Sequence, residues 1–149
     1  MSLHAENIKI VTQFTFEFLG KGDMAAADAT AHANIQCITG LKPQGPIDGL
    51  AEYKAIISGF ADAFPAMEPL KIIDQFASED GTRIVTRFHS KQKHAKDFFG
   101  LPATGRVILF DETHVATVKD GKIIQNIVSA TNLEFEMLMA PILTPMILK

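Results

Sequence analysis

The sequence predicts a single α+β domain over residues 1–149, with helices in its first part and an antiparallel strand meander after Pro65. Up to Pro65, apolar residues recur at helical spacing, whereas the later segments are rich in Val, Ile, Thr and Phe. Asp-Gly pairs at 80–81 and 120–121 separate later segments, and this pair is a strong hairpin signal. Helices followed by a strand meander are typical of the α+β class.

The first part of the chain predicts three helices and one short strand. Residues 5–19 carry an apolar face at helical spacing, and the alanine-rich residues 23–33 favour a second helix. A short strand is expected over 34–38. Asp48 is the expected N-cap of a third helix, which ends at Phe64 and whose apolar stripe predicts core packing.

The second part predicts four successive antiparallel strands and a closing helix. The strands are expected at 70–79, 82–94, 106–118 and 122–132, and the helix at 133–140. On the second of these strands, one parity is cationic and is expected to face water: Arg87, His89, Lys91 and Lys93. The other parity then places Phe88, Gln92 and His94 on the concave side of the sheet, provided that no bulge shifts the register.

Composition excludes several classes of function. The formal net charge is −3, so no overall basic field is present to hold nucleic acid or an anionic membrane. Cys37 is the only cysteine, which excludes an intrachain disulfide and a cysteine-based zinc site, and we interpret it as a small buried hydrophobe. Nothing at the N-terminus resembles a secretory leader, and no apolar run is long enough to span a bilayer, so a cytoplasmic protein is expected.

Three motifs carry a resemblance to a known family. They are "AFP" at 63–65, His94 followed by "FFGLPATGR" at 98–106, and "DGKI" at 120–123. Over roughly residues 6–140 the chain resembles the nuclear-transport-factor-2-like superfamily and, within it, the SnoaL-like polyketide cyclases. The resemblance implies a cone in which a strongly curved antiparallel sheet, closed by helices, surrounds a deep apolar cavity. It also implies a homodimer formed through the sheet.

The chemistry implied by the resemblance is intramolecular aldol closure of a small apolar or polycyclic carbonyl compound, with no metal and no organic cofactor. In the family, an acid/base residue removes a carbon-bound proton beside a carbonyl, and neighbouring donors stabilise the enolate. The family has a Trp and then an Asp after "GKI", whereas this chain has Ile127 and then Thr131 or Asn132. Neither a hydroxyl nor an amide can take a carbon-bound proton at neutral pH, so the family mechanism cannot be copied intact.

His94 and His114 are therefore the candidate catalytic residues. A histidine titrates near neutral pH and can act as a base there. For His94 the alternative is a histidine that packs the following loop against the sheet. For His114 one interpretation places the ring in the cavity, oriented by Glu112 or Asp111, and the other places it in a polar pair on the solvent face.

The remaining candidates are ligand-binding residues on the strands. The full predicted set is Phe88, Gln92, Glu112, Gln125, Ile127 and Thr131. On the last strand the opposite parity, with Asn126 and Asn132 inward, remains an alternative. Two functions stay open: a cyclase or isomerase-like acid/base enzyme, and a non-catalytic module that binds a small ligand or a partner. Epoxide hydrolysis is a third option that needs a pair of carboxylates in the cavity, and no pair is evident.

Overall fold

The computed structural model describes residues 2–42 and 44–148 and has four α-helices packed on one six-stranded sheet. The first helix continues as a π-helical segment, Phe14–Leu19. The elements are α1 (Leu3–Gln13), α2 (Met24–Thr30), β1 (Ala31–Ile38), β2 (Ile47–Asp48), α3 (Leu50–Ala63), β3 (Lys71–Ala77), β4 (Arg83–Lys93), β5 (Val107–Lys119), β6 (Lys122–Ala130) and α4 (Leu133–Ile147).

The sheet has the strand order β2-β1-β6-β5-β4-β3, and it curls without closing into a barrel. The antiparallel meander from β3 to β6 and the α+β class are confirmed. The sheet is mixed rather than wholly antiparallel, because β1 lies parallel to β6. That pairing joins strands that are far apart in sequence, so no local turn motif predicts it.

Three predicted boundaries differ from the structure. The second helix ends at Thr30, and β1 begins at once, so the strand is longer than 34–38. Asp48 pairs with Gln36 in β2 instead of capping α3, which begins after Gly49 without a side-chain cap. Helix α4 continues through two prolines to Ile147, beyond the predicted end at residue 140.

Two clusters of buried side chains hold the fold. The α1 core joins the first helices, β1 and α3, and in it Phe14, Phe18 and Tyr53 pack with ring centroids 5.3–5.9 Å apart. The α4 core joins the end of α3, β5 and α4 through Phe64, Phe110 and their neighbours. Each aromatic pair adds about 0.5–1.5 kcal/mol beyond the apolar area it buries.

The register between β4 and β5 positions the inward side chains. Pairing runs without a bulge from Arg83–Thr117 to Lys93–Val107. Because side chains alternate, Phe88 and Ser90 on β4 share the concave face with Glu112 and His114 on β5. Arg87, by contrast, is exposed on the outer face. None of the helices in the described ranges is long and apolar enough to cross a membrane.

Candidate functional site

A cavity of about 380 Å³ lies between the two cores. Its walls come from α3, from the concave face of the sheet and from α4. Most lining side chains are apolar, among them Ile57, Phe60, Phe88, Phe110, Phe135 and Met139. Helix α4 therefore covers part of the cavity, which gives the apolar C-terminal segment a place in the fold.

Glu112 and His114 form a polar pair in this apolar cavity. His114 is 5% exposed, and its Nε2 lies 2.9 Å from Glu112 Oε1. The second carboxylate oxygen, Oε2, accepts a hydrogen bond of 2.8 Å from Asn132 Nδ2. Both oxygens of the carboxylate thus have a hydrogen-bond partner, one the His114 ring and the other the Asn132 amide.

The partner of the other ring nitrogen defines the tautomer of His114. Asn126 Nδ2 lies 3.0 Å from His114 Nδ1. With Nδ2 beside Nδ1, the Asn126 amide donates to Nδ1, and Nε2 then carries the proton that is donated to Glu112. The Asn126 Oδ1 has no hydrogen-bond partner among the described residues. The same Asn126 amide donates to the Tyr53 hydroxyl oxygen at 3.0 Å. In this arrangement Glu112 is the acceptor of the pair, and His114 is the donor.

Tyr53 and Cys37 extend this network without adding a nucleophile. Burial raises the pKa of the Tyr53 phenol well above its usual value, and the neighbouring Cys37 adds to the effect. Burial also raises the pKa of the Cys37 thiol to about 11. Both groups stay protonated near neutral pH, and a thiol is a far weaker nucleophile than its thiolate.

Four of the predicted site residues line the cavity: Phe88, Gln92, Glu112 and His114. Gln92 Nε2 donates to the Phe64 carbonyl oxygen at 2.7 Å. Of the two acids proposed to orient His114, the structure selects Glu112. Asp111 faces the outer side and pairs with Arg87 at 2.7 Å, and this partner lowers the pKa of Asp111 to about 2.

His94 is fully buried but lies outside the cavity wall. Its ring stacks on Phe64 with centroids 4.5 Å apart and planes 7° apart. Its Nδ1 lies 3.0 Å from Thr104 Oγ1 and accepts a bond of 3.3 Å from Thr104 N. Its Nε2 has no hydrogen-bond partner within the described part of the chain. The ring fastens the loop after β4, as in the packing interpretation of this residue.

The last strand presents the alternative parity to the cavity. Asn126 is buried in the network and Asn132 lines the wall, whereas Gln125, Ile127 and Thr131 do not. The prediction that these three residues line the cavity is therefore wrong. The parity of β6 follows from its pairing with β5, in which Ala116 faces inward opposite Asn126, next to a register shift between Thr117 and Val118. Thr131 instead donates to the Asp111 carbonyl oxygen at 3.3 Å.

Sequence reasoning did not assign site roles to Ser90 and Tyr53, and it placed Asn126 inward only in the alternative parity of the last strand. The parity of β4 was a usable signal for Ser90, which lies between Phe88 and Gln92 on the inward face. Tyr53 belonged to an apolar helical stripe, and its contact with Asn126 spans 73 positions of sequence. Among the described residues, no group of three or more His, Cys, Asp or Glu is arranged to hold a metal ion.

The chain belongs to the SnoaL-like polyketide cyclase family, whose model matches residues 9–135. No curated protein matches the chain. Among solved structures, a candidate SnoaL-like polyketide cyclase from Jannaschia sp. CCS1 is similar, with a TM-score of 0.79 at 15% identity over 94% of this chain and 95% of that one. A candidate polyketide cyclase from Acidithiobacillus ferrooxidans has a TM-score of 0.72 at 24% identity, over 93% of this chain and 97% of that one. TsrD from Streptomyces laurentii has a TM-score of 0.73 at 18% identity, over 91% of this chain and 95% of that one. These likenesses support the fold.

Proposed function

We propose that this protein is a cofactor-independent acid/base catalyst that cyclises or isomerises a small apolar carbonyl compound, with Glu112 as the base. The observation that carries the proposal is a carboxylate in an apolar cavity, with His114 and Asn132 holding its two oxygens. A carboxylate can take a carbon-bound proton that a hydroxyl or an amide cannot. Glu112 on β5 thus takes the role of the family's Asp, which the resemblance implied at the position of Thr131 or Asn132, just after β6.

The reaction needs no outside reagent. Glu112 removes a proton from the carbon beside a carbonyl, and the carbon–hydrogen electron pair becomes the carbon–carbon double bond of an enolate. In cyclisation, the enolate carbon attacks a second carbonyl carbon of the same molecule, and the new alkoxide takes the proton back from Glu112. In isomerisation, the proton returns to a different carbon. Either way the carboxylate is regenerated.

His114 and Asn132 act as positioning residues in this proposal. Nδ1 of His114 is engaged by Asn126, so its ring nitrogen is not open to a substrate proton. Asn132 occupies one of the two positions where the resemblance implied an Asp, and its amide holds the replacement carboxylate. In this proposal Glu112 is the base, and His114 and Asn132 fix the orientation of its carboxylate.

The cavity favours an uncharged substrate. Its described lining includes two acids, Glu112 and the exposed Glu136, and no Lys or Arg. An anionic ligand would be repelled there without a compensating cation, and removing its charge from water would add to the penalty. We infer a neutral ketone or ester-like compound.

Hydrogen–deuterium exchange of β-tetralone in deuterated water, followed by NMR, tests the proposal. The wild type is expected to accelerate exchange beside the carbonyl, and Glu112→Gln to lower the rate by about 10²–10⁴-fold. Glu136→Gln is the matched control, because it removes the other lining acid, and its rate is expected to match the wild type. Wild-type protein that binds β-tetralone without accelerating exchange would favour the non-catalytic ligand-binding module instead.

We also propose that the partner is a second copy, docked on the outer face of the sheet. The register aligns one apolar residue from each of five strands across that face: Ile38, Ile127, Val115, Val85 and Phe76. Phe76 is 53% exposed and Ile38 is 47% exposed. Val85, Val115 and Ile127 between them are half-buried, and a contiguous apolar row that is partly exposed is a feature of interaction sites. Sedimentation should give a dimer for the wild type and a monomer for Val115→Lys, and a wild-type monomer would contradict the proposal.

A further inference from the structure

We propose that the Ser90 hydroxyl is a second catalytic group of the cavity, which donates a hydrogen bond to the substrate oxygen that becomes negative as Glu112 takes the proton. This inference rests on the proposed function of Glu112. It adds the group that stabilises the enolate. Preorganised donors of this kind are often the largest single contribution to such reactions.

The first support is the position of Ser90. It lies on β4 between Phe88 and Gln92, on the inward parity, is 7% exposed and lines the cavity. The surrounding side chains are mostly apolar, so the hydroxyl lies in an environment of low polarity. A hydrogen bond made there is stronger than the same bond in water.

The second support is that this hydroxyl is not committed to a partner. Within residues 2–42 and 44–148, no group forms a hydrogen bond with Ser90 Oγ, although it borders the cavity. The amide donors of the lining are engaged: Gln92 Nε2 donates to the Phe64 carbonyl oxygen, and Asn132 Nδ2 donates to Glu112. Ser90 Oγ is not one of the fully buried unpaired atoms, so it is accessible from the cavity. A ligand oxygen in the cavity can therefore accept its hydrogen bond.

The third support is its place relative to Glu112. Ser90 pairs with Phe110 and Phe88 pairs with Glu112, so Ser90 and Glu112 are diagonal neighbours on one face. Diagonal residues of an antiparallel pair lie about 7–8 Å apart. That interval accommodates one carbonyl group with a reacting atom about 3 Å from each side chain. Glu112 can then contact the carbon while Ser90 contacts the oxygen.

The step balances without another reagent. Glu112 takes the proton, the carbon–hydrogen electron pair forms the carbon–carbon double bond, and the carbonyl π pair moves onto oxygen. Ser90 donates a hydrogen bond to that oxygen and keeps its own proton. When the enolate is consumed, the negative charge leaves the oxygen, and the Ser90 hydroxyl is unchanged.

The test uses β-tetralone exchange with three variants. Ser90→Ala is expected to lower the exchange rate by about a hundredfold. Its melting temperature and its affinity for β-tetralone should stay near the wild type, because the hydroxyl bonds no protein group. Ser90→Thr keeps a hydroxyl and should retain most of the rate. Ser129→Ala, the matched control, removes an exposed hydroxyl of β6 that does not line the cavity, and it should leave exchange unchanged.

A spectroscopic readout separates this inference from the role of Glu112. A hydrogen bond to the carbonyl lowers its stretching frequency, so bound, isotope-labelled β-tetralone should absorb at a lower frequency in the wild type and in Glu112→Gln than in Ser90→Ala. If Ser90→Ala changes neither the frequency nor the rate while Glu112→Gln abolishes exchange, the Ser90 inference is overturned and Glu112 stands. If the wild type exchanges nothing, both are overturned.

Discussion

His94 and His114 are both buried, yet they lie in regions built for different purposes. His94 is stacked on Phe64 at the end of β4, and its polar neighbours are the amide and hydroxyl of Thr104. His114 lies in the middle of β5 beside Phe88, between Asn126 and the Glu112 carboxylate. The first region is closed and holds a loop. The second opens onto a cavity of about 380 Å³.

The comparison teaches that burial alone does not make a histidine catalytic. A reacting group needs space for a substrate and a charged or titratable neighbour whose position is fixed. His94 has neither, whereas the His114 region has both. The acid that makes the difference was the residue first considered as an orienting group, so the roles of Glu112 and His114 are exchanged in the present proposal.

His94→Ala is the largest expected change and is an effect on stability. Removing a fully buried ring that stacks on Phe64 leaves a cavity in the α4 core, and the free energy of unfolding should fall by about 3 kcal/mol. β-Tetralone exchange per folded molecule should remain at the wild-type rate. His94→Asn keeps an acceptor for Thr104 and should recover part of the loss. A collapse of exchange in stable protein would place His94 in the catalytic region after all.

His114→Ala should show the opposite pattern, with exchange falling about 30–100-fold because Glu112 and Asn126 lose their shared partner. His114→Gln sharpens the comparison, since its amide can still donate to Glu112 but cannot act as a base. If the histidine only positions Glu112, His114→Gln should retain most of the exchange rate that His114→Ala loses. Equal losses in the two variants would make His114 the base. Denaturant titration of both variants controls for unfolding.

The sequence predicted the meander because its connections are local and two of the three carry Asp-Gly signals. It predicted Phe88 and Gln92 as cavity residues because parity along β4 is a local property of a strand without a bulge. The parity of β6 depends on its pairing with β5 and on the register shift there, so it could not be chosen from β6 alone.

Long-range contacts explain the other differences between prediction and structure. The parallel β1–β6 pair, and the contact of Tyr53 with Asn126, join residues far apart in the chain. In α4, packing of Phe135 and Met139 against the α4 core outweighs the helix-breaking tendency of Pro141 and Pro145. No local pattern reports any of these contacts.

Asn126→Leu should have an intermediate effect, an approximately tenfold loss of exchange with a modest loss of stability. The substitution preserves size but removes the donor that keeps Nδ1 of His114 unprotonated. NMR of isotope-labelled histidine should show His114 protonated at Nε2 in the wild type and as a mixture of tautomers in the variant. His94 provides an internal reference, because its nitrogens do not contact Asn126. A wild-type ring protonated at Nδ1 would contradict the assignment of Glu112 as the acceptor.

Asp111 offers the smallest and most selective test, because it precedes Glu112 and faces the opposite side of the sheet. The bidentate hydrogen bonds from Arg87 lower its pKa to about 2, below the value of about 3.9 for an unfolded Asp. A depressed folded-state pKa contributes stability above the unfolded pKa, and this contribution is lost as the pH falls from about 4 towards 2. The pair is solvent-accessible, so the slope should be shallow and should weaken with salt. Asp111→Asn should reduce the dependence of unfolding free energy on pH in this window and leave β-tetralone exchange at neutral pH unchanged. Part of the dependence should remain, because hydrogen bonds from Ser78 and Thr82 lower the pKa of Asp80 to about 2 as well. Exchange that falls with Asp111→Asn as far as with Glu112→Gln would mean that the two faces of β5 are not functionally separate.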